Sequence, residues 1–424
     1  MKLHPSTGLH GTISVPGDKS VSHRSVMLGA LADGVTHVSG FLMGEDCLST
    51  IDCFRKMGVP IEVGDDRTVT VHGVGLHGLK QPTERLYTGN SGTTTRLISG
   101  ILSGQSFEVS LTGDASIEKR LMGGIIQPLR QMGADITGVD DKFCPLTIRP
   151  GKLHGIEYTL PVASAQLKSA ILLAGLYADT PTTVIEPAPS RDHTERMLRA
   201  LGCRVDTDGC RITLYPPEKL TARDVVVPAD ISSAAFFLVA GAIVPNSEIT
   251  IRDVGVNPTR DGAIEVLKNM GADITLSNLR DEGEPICDIT VRSSQLHGVE
   301  IGGAVIPRLI DELPVLAVAA AFAQGETVIR DAAELKVKES NRIAAMVSEL
   351  SRAGADVTET EDGMIIRGGR PLHGAAFETY HDHRIAMSMA VCALACSGDS
   401  EILDENVVAI SYPDFFDALH RLGG

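Results

Sequence analysis

Apolar residues recur along this chain in three textures that follow one another in a fixed order. Stretches such as SAQLKSAILLAGL, ISSAAFFLVAGAI, DELPVLAVAAAFA and HRIAMSMAVCALA are apolar on nearly every side and rich in alanine. A helix hydrophobic all round belongs in an interior. Others, such as HTERMLRALG and RDGAIEVLKNMG, carry charge along one face and predict helices with a solvated side. Short β-branched runs set off by Gly, Asp and Pro predict strands and turns. Read from Ile13, the first block runs strand (TISV), helix (Lys19 to Leu31), strand (Thr36 to Phe41), helix (Asp46 to Met57) and hairpin (IEV, TVTVH). The order is thus β-α-β-α-β-β, and later blocks repeat it.

Two markers fix the period. The tripeptide Leu-His-Gly begins at Leu9, Leu76, Leu153, Leu296 and Leu372, mostly in steps close to 70 residues or twice that. A helical stretch closes on glycine at Gly58, Gly133, Gly202, Gly271, Gly354 and Gly423. Six units result, with the absent tripeptide drifted near Leu220. Each is one supersecondary block that buries its apolar face against its neighbours. At 424 residues the chain exceeds what one core supports, so two or three domains are expected.

The composition, 43% hydrophobic and 22% charged, is that of a soluble globular protein. No apolar run reaches the roughly 18 residues of a membrane span, and MKLHPSTGLHG lacks a signal peptide's apolar core, so a cytoplasmic location is expected. The eight cysteines include no CxxC pair and read as core residues or free thiols. A net charge of −16 argues against a nucleic-acid surface. Any anionic ligand must therefore meet a local positive pocket.

Such pockets have an address. The all-apolar helices begin with PGDKSVSHR, GNSGTTTR, SAQLK, PADISS, LIDE and YHDHR, so polar and charged residues collect at their N-terminal ends. A helix N-terminus presents unpaired N–H groups and about half a positive charge. Several converging on one cleft would bind a strongly anionic ligand. Capping accounts for Ser20, Ser91, Ser164, Asp230 and Asp382. It does not account for Lys19, Arg24, Arg96 and Arg384, because cations in a first turn oppose the dipole. Further basic groups stand at or before second helices: Lys119 and Arg120, Arg191, and Lys336, Lys338 and Arg342.

At this point PGDKSVSHR, GNSGTTTR, SAQLKSAILLAG, SRDHTERML, LIDELP, VKESNRI, YHDHRIAM and SYPDFF closely resemble the signature segments of the 5-enolpyruvylshikimate-3-phosphate synthase family. The resemblance covers essentially the whole chain and leans to the Gram-positive, glyphosate-tolerant branch. It implies an α/β fold of two inside-out α/β barrels, six βαβαββ repeats with three per domain. Residues 1–17 and 228–424 would form one domain and 18–227 the other, with the N-terminal strand completing the sixth unit. It also implies a reaction of the shikimate pathway. The 5-hydroxyl of shikimate 3-phosphate attacks C2 of phosphoenolpyruvate, C3 is protonated, and phosphate leaves from a tetrahedral intermediate. No metal or organic cofactor is implied, the partners being the two small-molecule substrates, with no nucleic acid or membrane and a monomeric protein.

By motif match Lys19, Ser20, Arg24, Ser164, Ala165, Gln166, Arg191, Asp311 and Lys338 would line the shikimate 3-phosphate site. Arg24 suits a two-bond carboxylate clamp. Phosphoenolpyruvate would meet Lys19, Gly92, Thr93, Arg120, Gln166, Arg342 and Arg384, with Gly92 admitting ligand to the backbone and leaving room for glyphosate. Asp311 is assigned to the attacking hydroxyl, and Glu339 and Lys19 to the methylene protons, with Lys19 among other cations and so readier to lose its proton. Bland readings compete: Asp311 as a helix cap, and Glu339 as an i,i+3 partner of Arg342. The Leu-His-Gly histidines read as punctuation, and only His383 is expected near the cleft.

Three positions depart from the family's pattern. Leu121 replaces a usual proline, Ala165 a second serine, and Ile410 a lysine of the enterobacterial branch. The rival within the fold, UDP-N-acetylglucosamine enolpyruvyl transferase, uses a loop cysteine where Ala115 stands here. A rival of another class, a non-catalytic anion-binding scaffold, has no use for Asp311 or Glu339. Two strands joining two barrels predict a hinge that closes on shikimate 3-phosphate.

Overall fold

The computed structural model describes residues 1–281 and 283–424. They divide into two compact units, Gly17–Val227 and Met1–Pro16 with Pro228–Gly424. Gly17 falls with the first of these because its backbone lies against its neighbours there. A Cβ added to it would stand 1.9 Å from the Gly40 carbonyl oxygen.

The Gly17–Val227 unit holds six helices: α1 (Lys19–Leu31), α2 (Glu45–Lys56), α3 (Gly92–Leu102), α4 (Gly123–Gln131), α5 (Ala165–Gly175) and α6 (His193–Ala200). Three four-stranded sheets accompany them. The first runs Val225–Val226, Asp33–Ser39, Val69–Val74, Ile61–Val63; the second Leu86–Tyr87, Val109–Thr112, Phe143–Arg149, Asp135–Val139. The third runs Glu157–Thr159, Thr182–Ile185, Arg211–Leu214, Val205–Asp208. In each, the first strand is parallel to the second and the hairpin is antiparallel. Helix α1 is buried from Val21 to Leu31 and α5 from Leu167 to Gly175, as all-round apolarity requires. Small residues let these helices approach closely: a Cβ at Gly100 in α3 would lie 2.2 Å from the Ala170 carbonyl oxygen in α5.

The other unit carries α7 (Ile231–Ile243), α8 (Gly262–Asn269), the single turn α9 (Ile306–Leu309), α10 (Leu313–Phe322), α11 (Arg342–Arg352), α12 (His383–Ala395) and α13 (Phe415–Leu422). Its sheets run His10–Ile13, Glu248–Gly255, Pro285–Arg292, Asp273–Asp281, and Glu300–Ile301, Glu326–Ile329, Met364–Arg367, Asp356–Glu359. The third has three strands, Ala376–Phe377, Ser400–Ile402 and Lys2–Leu3, the last antiparallel to its neighbour. Each unit has its own apolar core, one around Phe236, Leu316 and Met389, the other around Leu28, Ile98 and Leu172.

One sequence assignment changes. Periodicity puts the strand before α1 in the same block as α1, whereas the family resemblance puts residues 1–17 with 228–424; His10–Ile13 pairs with Glu248–Gly255 of the latter unit. Its place beside Asp33–Ser39 is taken by Val225–Val226. The two edge strands have equivalent sequences and positions, so periodicity alone could not tell which sheet each joins.

The period markers have separate physical causes. Every leucine of Leu-His-Gly is at most 5% exposed, whereas all five histidines are exposed. At Gly78, Gly155, Gly298 and Gly374 the following glycine serves close approach, a Cβ at Gly298 falling 2.1 Å from the Glu326 carbonyl oxygen, whereas Gly11 has φ of +130°. Glycines closing the second helices adopt φ between +87° and +99°, and each donates its N–H to a carbonyl three residues back. This is the left-handed stop that glycine permits. In the Gly17–Val227 unit an arginine precedes each stop by three residues, and Nε of Arg55, Arg130 and Arg199 donates to the carbonyls of Ile61, Ile136 and Val205. All eight cysteines are free. Among the described residues no helix is long and apolar enough to cross a membrane.

Within one marker, then, Gly298→Ala is expected to destabilise by about 1–3 kcal/mol, as overpacking does. His297→Ala beside it should stay within about 0.5 kcal/mol of wild type. Urea unfolding of both variants checks the contrast.

Candidate active site

In the Gly17–Val227 unit three buried helices begin with polar groups. Asp18, not Ser20, caps α1, accepting from Val21 N at 2.8 Å, while Ser20 lies half-buried inside the first turn. Lys19 heads the helix and pairs with Asp46 at the start of α2. Sequence reasoning set Lys19 among cations and missed this carboxylate. One turn on, Arg24 is 3% exposed. Its Nε donates to Thr194 Oγ1 (2.6 Å), Nη2 to Ser169 Oγ (2.8 Å) and Nη1 to the Ser20 carbonyl (2.9 Å). The Nε/Nη2 edge that a two-bond carboxylate clamp would use is thus occupied by hydroxyls of α5 and α6, contrary to the clamp expected.

Ser91 caps α3 and Ser164 caps α5, accepting from Thr94 N (3.1 Å) and Leu167 N (3.4 Å). Between these ends runs a chain of polar side chains. Gln166 Nε2 donates to Thr93 Oγ1 (3.0 Å), Arg96 Nη1 to Gln166 Oε1 (2.7 Å), and Arg96 Nη2 to the Leu121 carbonyl (3.2 Å). Arg120 Nη2 donates to Asn90 Oδ1 at 2.7 Å. A Cβ at Gly92 would stand 2.6 Å from Arg96 Nη1 and 3.2 Å from Arg120 Nη1. Gly92, Thr93, Arg96, Arg120 and Gln166 are therefore one cluster, cationic and rich in N–H donors. Ala165, the first residue of α5, adds no side-chain donor. Leu121 exposes its side chain, and Ala115 is exposed as well.

Arg191 is half-buried in the loop before α6. Behind it lies a buried ion cluster that sequence reading did not find: Lys168 Nζ contacts Glu186 Oε2 (3.0 Å) and Glu195 Oε1 (2.7 Å), and Ser190 Oγ donates to Glu186. Burial pushes the Glu195 carboxyl up, against the pull of Lys168. For Lys168, burial works against the charge, but Glu195 and Glu186 outweigh it and its pKa rises.

The other unit gathers carboxylates around one guanidinium. Arg342, 1% exposed, donates from Nε to Asp382 Oδ2 (2.8 Å), from Nη1 to Asp311 Oδ1 (3.3 Å) and from Nη2 to Glu339 Oε2 (2.5 Å). Burial opposes its charge, yet Asp382, Glu339 and Asp311 together raise its pKa. Lys338 Nζ is 3.8 Å from Asp311 Oδ1 and also pairs with Glu334. Asp382 caps α12 through Arg384 N (2.9 Å) and accepts from Ser340 Oγ (2.9 Å). Its carboxyl is held low: burial pushes up, but the charge and hydrogen bond of Arg342 together with His383 outweigh it. Asp311 does not cap α10, whose N-cap is Glu312. Arg384 is half-buried just after this cap, His383 is buried beside it, and Ile410 is half-buried in the turn Glu405–Ile410. Tyr380 and His381 lead into the cap with φ of +55° and +53°.

Asp311, Glu339, Lys338, Arg342 and Asp382 thus meet in one place, while in the other unit Lys19, Gly92, Thr93 and Gln166 occupy helix starts and Arg120 the loop before α4. Asp382 caps α12 as its sequence suggests, but its ion pair with Arg342, like the pairing of Asp46 with Lys19, was not read from sequence. Among the described residues no group of three His, Cys, Asp or Glu could hold a metal ion. Chemically the two sets offer donors for phosphate and carboxylate, and carboxylates fit to accept a proton.

The family model for EPSP synthase (3-phosphoshikimate 1-carboxyvinyltransferase) matches residues 3–419. The chain is 57% identical over 420 residues to the 3-phosphoshikimate 1-carboxyvinyltransferase of Geobacillus kaustophilus, covering 98% of each chain. Its counterpart in Thermoanaerobacter sp. (strain X514) is 55% identical over 415 residues, again with 98% of each covered. Among solved structures, the EPSP synthase of Acinetobacter baumannii superposes with a TM-score of 0.91 at 50% identity, over 100% of this chain and 98% of that one. The enolpyruvyl transferase NikO from Streptomyces tendae shares the fold, with a TM-score of 0.81 at 18% identity and 100% and 97% covered. The chain belongs to the EPSP synthase (3-phosphoshikimate 1-carboxyvinyltransferase) family.

Proposed function

We propose that this protein transfers the enolpyruvyl group of phosphoenolpyruvate to the 5-hydroxyl of shikimate 3-phosphate and releases phosphate, as a cytoplasmic monomer. The observation that carries the reading is the convergence of Asp311 and Glu339 on the buried Arg342, which a passive anion-binding scaffold would not need. Full-length similarity to 3-phosphoshikimate 1-carboxyvinyltransferases supports it.

Asp311 accepts the proton of the 5-hydroxyl as its oxygen attacks C2 of phosphoenolpyruvate. Opposite charges on Arg342 and Lys338 favour the ionised, accepting carboxylate. Glu339 and Lys19 move a proton to C3 and later from the resulting methyl group, as phosphate departs and the C2–C3 double bond re-forms. The N–H groups at the starts of α1, α3 and α5, with Lys19, Arg120, Arg342 and Arg384, neutralise phosphate and carboxylate. Ser20, Ser164, Arg191 and Lys338 complete the shikimate 3-phosphate contacts, and Arg24 donates to them from its Nη1 side.

Mixing the protein with both substrates should release inorganic phosphate in proportion to product, and no substrate-dependent release would sink the reading. Asp311→Ala should lower kcat about 10²- to 10⁴-fold while both KM values change little, as loss of a general base does. Comparable loss in KM and kcat would instead mark Asp311 as a binding group. Gly92→Ala places its methyl against the ends of Arg96 and Arg120, and it is expected to weaken glyphosate more than phosphoenolpyruvate. Inhibition constants compared with KM in the variant check this, and equal losses would contradict it.

A further inference from the structure

His23, Thr50 and Thr94 play no part in the chemistry above, yet they lie directly behind it. All three are fully buried. His23 is one turn after Lys19 on α1, Thr50 one turn after Asp46 on α2, and Thr94 in the first turn of α3. Their polar atoms form an unbroken line. His23 Nδ1 is 2.7 Å from Thr50 Oγ1, which is 2.8 Å from Thr94 Oγ1, which donates to Ser91 Oγ at 2.7 Å. Ser91 is the cap of α3, immediately before Gly92 and Thr93.

The line has one direction. A hydroxyl carries a single proton. Thr94 gives its proton to Ser91, so Thr50 must donate to Thr94. His23 must then donate from Nδ1 to Thr50, which makes it the neutral Nδ1–H tautomer. Its Nε2 is buried with no hydrogen-bond partner among the described residues, so a second proton there would be an unpaired buried N–H. Burial lowers the imidazole's pKa to about 3, with Lys19 and Arg24 adding to the effect and Asp46 opposing it, so neutrality holds across the physiological range. At the far end Ser91 Oγ already accepts from Thr94 Oγ1 and Thr94 N, which leaves its own proton for a further acceptor at the start of α3.

We propose that His23, Thr50, Thr94 and Ser91 form a one-way hydrogen-bond relay that locks the start of α3 to the Lys19–Asp46 pair and thereby positions the phosphoenolpyruvate-binding groups. The proposal rests on the functional reading above, which assigns Gly92 and Thr93 to that substrate. His23, Thr50 and Thr94 are positioning residues. They touch no substrate and act through the helix starts they join. Thr94 and Thr50 Oγ1 also lie 3.4 and 3.5 Å from the Asp46 backbone carbonyl oxygen, so the relay packs against the main chain that carries the partner of Lys19.

The test uses Thr50→Val and Thr94→Val, singly and together, with Thr50→Ser and Thr94→Ser as conservative partners. Each valine is expected to raise KM for phosphoenolpyruvate about tenfold, the weight of one net hydrogen bond, and to leave KM for shikimate 3-phosphate within about twofold. Serine should restore the wild-type value. Because both hydroxyls belong to one chain, the double variant should be no worse than the worse single. Additive losses, equal changes in both KM values, or a lowered Tm with unchanged KM for phosphoenolpyruvate would overturn the proposal.

Nitrogen NMR of ¹⁵N-histidine-labelled protein supplies a readout independent of turnover. His23 should be Nδ1–H and show no titration near the ordinary histidine pKa of about 6.5, and Thr50→Val should abolish that tautomer preference. An Nε2–H tautomer, or titration near that value, would overturn the relay. A wild type that releases no phosphate would remove the functional reading, while the tautomer would still decide for or against the relay.

Discussion

A helix with no wettable side can persist only where sheets or other helices cover it completely, and that requirement organises both units. The burial of α1, α5, α7, α10 and α12 leaves their side faces no access to water. Within such a helix the backbone satisfies itself except for the first few N–H groups and the last carbonyls. The starts must therefore find capping side chains or a ligand. Ser91, Ser164, Asp230 and Asp382 do the capping, and the cations beside them exceed what capping needs. Alanine and glycine make this geometry possible, since backbones must nearly touch where Gly100 meets Ala170.

Charge is distributed with the same economy in an acidic chain. One unit gathers arginines and N–H donors at helix starts, and the other wraps three carboxylates around Arg342. Buried ions are expensive unless each has a partner, and removing one partner costs more than the pair contributes. Arg342 with Asp311, Glu339 and Asp382, like Lys168 with Glu186 and Glu195, meets that condition. The left-handed pair Tyr380 and His381, tied down by Tyr380 Oη donating to Glu349 Oε1 (2.8 Å), feeds directly into Asp382. Strain of this kind persists where surrounding contacts over-determine it.

What could be read in advance was whatever repeats. The extent of α1, the six glycine stops and the gathering of polar groups at buried helix starts all follow from local pattern, and each is a local property in the fold. Most of what was missed depends on residues distant in sequence meeting in space. No spacing connects Lys19 to Asp46 or Arg342 to Asp382, and nothing local turns the guanidinium edge of Arg24 towards Ser169 and Thr194. Ser20 reads as the cap of α1, yet the backbone gives that place to Asp18. The buried histidines His23 and His193 stand outside the Leu-His-Gly period, and nothing in their local sequence marks them as interior. The edge strands His10–Ile13 and Val225–Val226 read alike, so their exchange was invisible to periodicity.

That exchange, together with the pairing of Lys2–Leu3 on Ser400–Ile402, bears on how the molecule comes into being. The Gly17–Val227 unit is a continuous segment and can close as soon as Val226 has left the ribosome. The other unit cannot. Its strands Lys2–Leu3 and His10–Ile13 are made before that segment, yet Lys2 meets its partner Glu401 only long after the whole segment has been made. At roughly 5–20 residues per second that interval is about 20–80 s, during which one edge strand waits unpaired while a finished unit forms behind it. Lys2–Leu3 is only two residues long and its first member is a lysine, and a short, charged edge is one that invites few wrong partners during such a wait.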